Sequence, residues 1–207
     1  DGFSRNVIAD IPGREAPEEI VIVSGHIDSW DVGQGAMDDG GGCLAAWEAA
    51  RLMMKLGLKP RRTIRVVLWT NEENGIRGAK EYARRHAAAL KNHVLAIESD
   101  SGVFNPTGYG FLGSVKGMET IQAIGKLLAP INAGEIKKGC RGADVLKLIT
   151  GGVPAMHLEV AREKYFWFHH TDADTTDKLD PDEFNLCVAS MAIMAFTVAD
   201  LKETLAR

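Results

Sequence analysis

Short runs of consecutive apolar residues alternate along this chain with longer stretches of helical periodicity. The runs "NVIADI" (6–11), "EIVIVSG" (19–25), "TIRVVLW" (63–69), "HVLAIES" (93–99) and "VPAMHLE" (153–159) are rich in Val and Ile, and the pattern predicts strands there. Helical spacing predicts helices over about 41–57, 78–90, 116–129, 143–150 and 181–205. The first of these has polar residues on one narrow stripe (Glu48, Arg51, Lys55), so most of its circumference is expected to be buried. The last opens on "DPDE", with Asp180 as N-cap, Pro181 at the first helical position and Glu183 closing a capping box. Near-continuous apolar strands separated by helices predict an α/β fold, a three-layer sandwich with a mostly parallel mixed sheet covered on both faces. In such folds ligands bind at the carboxyl ends of the strands.

Those strand ends carry the chemistry. Strand 19–25 runs into "HIDSWDVGQGAMDDGGG", which places four aspartates and six glycines between residues 24 and 42. Strand 63–69 ends in "TNEEN" with Glu72 and Glu73, strand 93–99 ends at Asp100, and strand 153–159 is followed by His169 and His170. Alone, an EE pair is a solvated loop and an HH pair a surface feature. Four strand ends delivering histidines and carboxylates to one edge predict a two-metal site. Imidazole nitrogen and carboxylate oxygen are what zinc accepts when thiolates are absent. Asp28, two residues after His26, suits the carboxylate that accepts the second ring N–H of a ligating histidine.

Taken together, "GHIDSWDVGQGAMDDGGG", "TNEENGIRGA", "ESDSG" and "FHHTDADT" resemble the catalytic domain of the di-zinc exopeptidases that include aminopeptidase Y and glutamate carboxypeptidase. The likeness runs nearly the full chain. It implies a zinc-dependent exopeptidase fold holding two zinc ions, with a short peptide as substrate. Carried over position by position, it implies His26 as a ligand of one ion, Asp38 as the bridging carboxylate, and His170 as the remaining histidine ligand. Glu73 and Asp100 complete the two ligand sets, and sequence leaves open which ion each serves. Glu72 resembles the general base. Some relatives have a tyrosine before the last histidine that stabilises the tetrahedral intermediate; here it is His169, which would pass that role to an imidazole. Relatives also carry an upstream segment and an inserted protease-associated domain, so residues 1–207 read as a catalytic-domain piece. An extracytoplasmic location and a homodimer are further expectations of the resemblance, and no signal peptide is visible at the start.

Composition narrows the alternatives. A net charge of −4 over 207 residues gives no reason to expect nucleic acid or an anionic membrane as partner. The basic "KPRR" (59–62) reads as a solvated turn, and "LCVASMAIMAF" (186–196) is too short to span a bilayer. Cys43, Cys140 and Cys187 form no CxxC pair, which argues against thiolate zinc; Cys43 and Cys187 fit small core side chains. A dinucleotide reading of "GQGAMDDGGG" fails on spacing. A metal-free binding relative would require lost ligands, and none is lost. A single-zinc, glutaminyl cyclase-like transferase and an aminopeptidase stay as rivals to a dipeptidase or carboxypeptidase. "YFWF" (165–168) is divided between a substrate pocket and core, and in "GCRGAD" (139–144) Arg141 and Asp144 are divided between a substrate contact and an exposed turn.

Overall fold

The computed structural model describes residues 2–207. Its strands are β1 (Val7–Ile11), β2 (Ala16–His26), β3 (Arg62–Trp69), β4 (His93–Glu98), β5 (Pro106–Leu112), β6 (Glu135–Lys138) and β7 (Ala155–Val160). Three α-helices lie in the connections between them, α1 (Gly41–Lys55), α2 (Arg77–Arg85) and α3 (Val115–Gly125), and α4 (Pro181–Asp200) follows β7. The strands make one sheet in the order β1-β3-β2-β4-β7-β5-β6. Strands β3, β2, β4 and β7 run parallel, and both flanks include antiparallel pairings, β1 on β3 and β5 on β7. A mixed α/β sheet is thus present as expected.

Alternation along the strands builds two cores. Val21, Val23, Ile64, Val66, Leu95 and Ile97 point to one side, where α1, α3 and α4 contribute Met53, Ile121, Met191 and Val198. Ile20, Ile22, Val67, Trp69 and Ala96 point to the other, under α2 and the turn of 3₁₀ helix over 145–151. A fully buried Leu or Ile contributes about 1.5–3 kcal/mol, so both faces must be covered for the sheet to persist. Register then aligns the strand ends: His26 pairs with Trp69, and Ser24 with Glu98. Whatever follows β2, β3 and β4 emerges at one level.

Several expectations need correction. Strands β5 and β6 carry too little apolar alternation to be read from sequence. The helix expected over 143–150 is 3₁₀, and those expected over 78–90 and 116–129 end in 3₁₀ segments after Arg85 and Gly125. On α1, Leu44, Trp47 and Met54 face solvent, because the sheet and α4 cover only one side of the helix. Arg62 is not in a solvated turn. It is 4% exposed, its guanidinium pairs with Glu19, and Nη1 donates to the Leu201 carbonyl at 2.6 Å. Asp180 caps α4 as expected, accepting from the Asp182 and Glu183 N–H groups, but the Glu183 carboxylate accepts from Asn105 instead of closing a box. By length and composition α4 could cross a membrane; here its Cys187, Met191, Met194 and Val198 are in the core. The cysteines are free, and Cys43 and Cys187 are buried.

Under α2 lies a buried polar chain. Arg65, fixed by Asp10, donates to the Tyr82 hydroxyl, which donates to His93 Nε2 at 2.8 Å; His93 Nδ1 donates to the Ala89 carbonyl. Burial, with Arg65, His86 and Arg207 nearby, lowers the His93 pKa to about 4 from the usual 6.5. The unfolded chain therefore takes up this proton first as pH falls. His93 contributes no pH dependence above about pH 6.5, and costs stability progressively between there and pH 4, by about 3 kcal/mol in total. We expect the unfolding free energy of His93→Gln to fall less steeply than wild type between pH 7 and 4, as read by urea denaturation across pH. Parallel curves would show that His93 titrates normally.

Candidate metal centre

At the carboxyl ends of the parallel strands the side chains converge on Asp38. His26 closes β2 and is 1% exposed. Its Nδ1 lies 2.8 Å from the Asp28 carbonyl. A carbonyl only accepts, so Nδ1 carries a proton, and Nε2 is the nitrogen turned toward the carboxylates. That nitrogen lies 3.2 Å from Asp38 Oδ1 and 3.5 Å from Asp100 Oδ1. On the other side, His170 Nε2 lies 3.3 Å from Asp38 Oδ2 and 3.1 Å from Glu73 Oε2. Asp38 therefore stands between two clusters, His26 with Asp100 and His170 with Glu73. His169 stacks on His170 with ring centres 3.6 Å apart, its own Nε2 at 3.5 Å from Asp38 Oδ2.

Asp28 does something other than expected. Its carbonyl, not its carboxylate, receives the His26 N–H; Oδ1 stays 4.0 Å from Nδ1. The carboxylate accepts from the backbone N–H groups of Glu72 (2.9 Å) and Glu73 (3.2 Å), and so holds the turn after β3. That turn is bracketed by left-handed residues, Asn71 at φ 60° and Ile76 at φ 57°. His170 is left-handed too, at φ 59°.

Two aspartates were not singled out by sequence and turn out to matter for placement. Asp174 accepts from the Met37 N–H (2.6 Å) and the Asp38 N–H (3.1 Å), fixing the Asp38 backbone; the only sequence signal was its place just after the HH pair. Asp39, joined to Asp38 by a cis peptide bond, accepts the His26 N–H at 2.9 Å. It fits because two neighbours have no side chain: a Cβ on Gly42 would come within 2.2 Å of Asp39 Oδ1, and one on Gly25 within 2.5 Å of Oδ2. A third addition is Trp30, whose indole N–H donates to Glu73 Oε2 at 2.9 Å. The "YFWF" stretch divides: Tyr165 is buried, Phe168 stacks on Phe104, and Phe166 and Trp167 are exposed. In "GCRGAD", Arg141 pairs with Glu159, and Asp144 is fully buried beside Glu98.

The electrostatics of the cluster are those of an excess of carboxylates. Burial alone would depress the His26 imidazole, yet Asp100 and Asp38, with Asp39 behind, push it far above the ordinary histidine range. Burial raises Asp39 and Glu98 well above normal, aided by Asp100 and Asp144 respectively, and pushes Asp144 up to about 7. Partial burial raises Glu72, which His26 offsets and Asp100 reinforces. Asp38 alone is held low, because His26 and the two later histidines outweigh its burial. Among the described residues, Asp38 Oδ2, Asp39 Oδ1 and Glu73 Oε1 are buried without a hydrogen-bond donor. Buried oxygens without donors, set beside imidazole nitrogens, make a donor set that suits divalent cations of the zinc type. Groups of such ligand atoms within 4.8 Å of one another include His26, Asp38 and Glu73, and Asp38, His169 and His170.

Residues 6–195 match the model of peptidase family M28. Over all 207 residues the chain is 46% identical to carboxypeptidase Q of Rattus norvegicus, while spanning 44% of that relative's length. The solved peptidase M28 precursor from Shewanella amazonensis superposes with a TM-score of 0.92 at 37% identity, over 98% of this chain and 46% of that one. An aminopeptidase from an Aneurinibacillus strain gives a TM-score of 0.75 at 25% identity, over 97% and 49% of the respective chains. With a family match over most of its length and the mixed sheet of its relatives, this chain belongs to peptidase family M28.

Proposed function

We propose that the chain carries the catalytic centre of a metallo-exopeptidase that hydrolyses dipeptides or short peptides with a co-catalytic zinc pair. The observation that carries the reading is Asp38, whose two oxygens face separate histidine–carboxylate clusters. On this reading His26, Asp38 and Asp100 would hold one ion, and His170, Asp38 and Glu73 the other. When bound, the pair supplies Lewis acidity, polarising a peptide carbonyl and acidifying water. Glu72 takes the proton from the attacking water and returns it to the leaving amine. Its partial burial raises its proton affinity, which suits a base that must later act as an acid. Asp28 fixes Glu72 through the backbone, so the base is aimed by a hydrogen bond its side chain does not spend. On the same reading His169, which stacks on His170 at the edge of the cluster, would donate toward charge developing on the substrate carbonyl.

Dipeptidase or carboxypeptidase action is favoured by the 46% identity to carboxypeptidase Q. Aminopeptidase action is the second reading, supported by the similarity to the Aneurinibacillus enzyme. Product-resolved assays on a panel of unblocked and end-blocked short peptides separate the two. Internal cuts in a protein at rates matching free dipeptides would rule out exopeptidase action of either kind.

For the full-length protein, elemental analysis should find about two zinc per chain, removed by chelator together with activity. Glu72→Gln should retain zinc while turnover falls by roughly 10²–10⁴. Glu73→Gln should lose zinc as well. The opposite pattern would exchange the roles of the two glutamates.

Replacing Asp28 tests the turn. An asparagine presents one acceptor oxygen to two N–H groups that now have two. Asp28→Asn should therefore weaken zinc binding by roughly 10–100-fold with the melting temperature nearly unchanged. Unaltered zinc affinity would reduce Asp28 to a loop residue.

A further inference from the structure

Trp30 is 45% exposed, and an exposed tryptophan by itself means little. Its indole has a single polar atom, and that atom is committed: Nε1–H donates to Glu73 Oε2 at 2.9 Å. The Glu73 carboxylate it grips is 7% exposed, and its other oxygen, Oε1, has no hydrogen-bond donor. The oxygen the indole holds, Oε2, is also the one that faces His170 Nε2 at 3.1 Å. The ring also lies against His170, centroids 5.3 Å apart and planes tilted by 53°. What remains of the indole is apolar surface over a water-sized crevice that Ser29, Asp38, Glu73 and His170 also line, and with the exposed Val32 it forms an outward apolar face beside the cluster.

We infer that Trp30 is both a positioning residue for Glu73 and the specificity wall of the site, taking an apolar side chain of the substrate residue beside the scissile bond. The inference rests on the metallo-exopeptidase reading above and adds to it the class of side chain. The hydrogen bond fixes the rotation of the Glu73 carboxylate, so that Oε2 stays turned toward His170 Nε2. A ligand held in one orientation loses less rotamer freedom on binding an ion, which is how groups behind a ligand raise metal affinity. The exposed face supplies the second function. An aromatic wall whose polar atom is already satisfied offers an incoming side chain only apolar contact, and so discriminates against polar ones.

Two substitutions in the full-length protein separate these functions. Trp30→Phe keeps an aromatic face and removes the N–H; Trp30→Ala removes both. Zinc affinity is measured without substrate, by competition against a chromogenic chelator, with melting temperature as the control for folding. The ratio of kcat/KM for Leu-containing over Ser-containing dipeptides is then measured at saturating zinc. We expect Trp30→Phe to weaken binding of one zinc by ~10–100-fold while the Leu/Ser ratio stays within about threefold of wild type. Trp30→Ala should weaken zinc similarly and lower the Leu/Ser ratio by about tenfold or more. Wild-type zinc affinity in Trp30→Phe overturns the positioning role, and an unchanged ratio in Trp30→Ala overturns the wall. A wild-type protein that binds no zinc or cleaves no dipeptide overturns the underlying reading instead, before either variant is compared.

Discussion

Negative charge gathered at one sheet edge is the constraint on which the rest of this molecule turns. Asp38, Asp39, Glu98 and Asp144 are buried at this edge with Glu73 half-buried beside Asp38, and among the described residues His26 is the one basic side chain buried against them. Isolated carboxylates in a poorly solvated interior shift their proton affinity rather than stay charged, and Asp39, Glu98 and Asp144 do so. The sheet tolerates this because the cluster sits past its strand ends, where backbone N–H groups are free to donate. Asp39, Asp28 and Asp174 each take such donors, from His26, from Glu72 and Glu73, and from Met37 and Asp38. The fold thus spends backbone hydrogen bonds on three aspartates so that Asp38 and Glu73 keep oxygens unspent.

The same logic explains the glycines. Asp39 reaches the end of β2 only because Gly25 and Gly42 leave no Cβ in its path. Aspartate and glycine in this stretch are two halves of one packing solution. Charge enters the interior where side-chain volume has been removed.

Sequence made the central strands legible because β2, β3, β4 and β7 are covered on both faces and therefore read as near-continuous apolar runs. It missed β5 and β6 for equally physical reasons. In "PTGYGFL" a Cβ at Gly108 would come within 1.9 Å of the Glu135 carbonyl, and one at Gly110 within 2.0 Å of His157. The residues that erase the strand pattern are those that let the strand pack. "EIKK" is an edge strand with one partner, polar on most of its length. At the site, the residues emerging from strand ends were all visible, since register brings them together. Hidden from sequence were the contacts made across long separations: Asp174 to Asp38, Trp30 to Glu73, and the Asp28 carboxylate to the following turn instead of its histidine neighbour. Spacing along the chain cannot distinguish a carboxylate from its own carbonyl as the acceptor.

The turn after β3 sets conformational stability against definition of the site. Ile76 is β-branched, and its left-handed backbone costs about 1–2 kcal/mol relative to an ordinary helical residue. Glycine would remove that cost. It would also remove the side chain that packs into the core under α2 and so anchors a residue whose N–H, like that of Gly75, closes on the Glu72 carbonyl. A glycine there would widen the range of turns open to Glu72 and Glu73, blurring two carboxylates at once. Drift at this position is therefore bounded on both sides. Glycine gains backbone ease and loses definition, while branched residues keep the anchor and the strain.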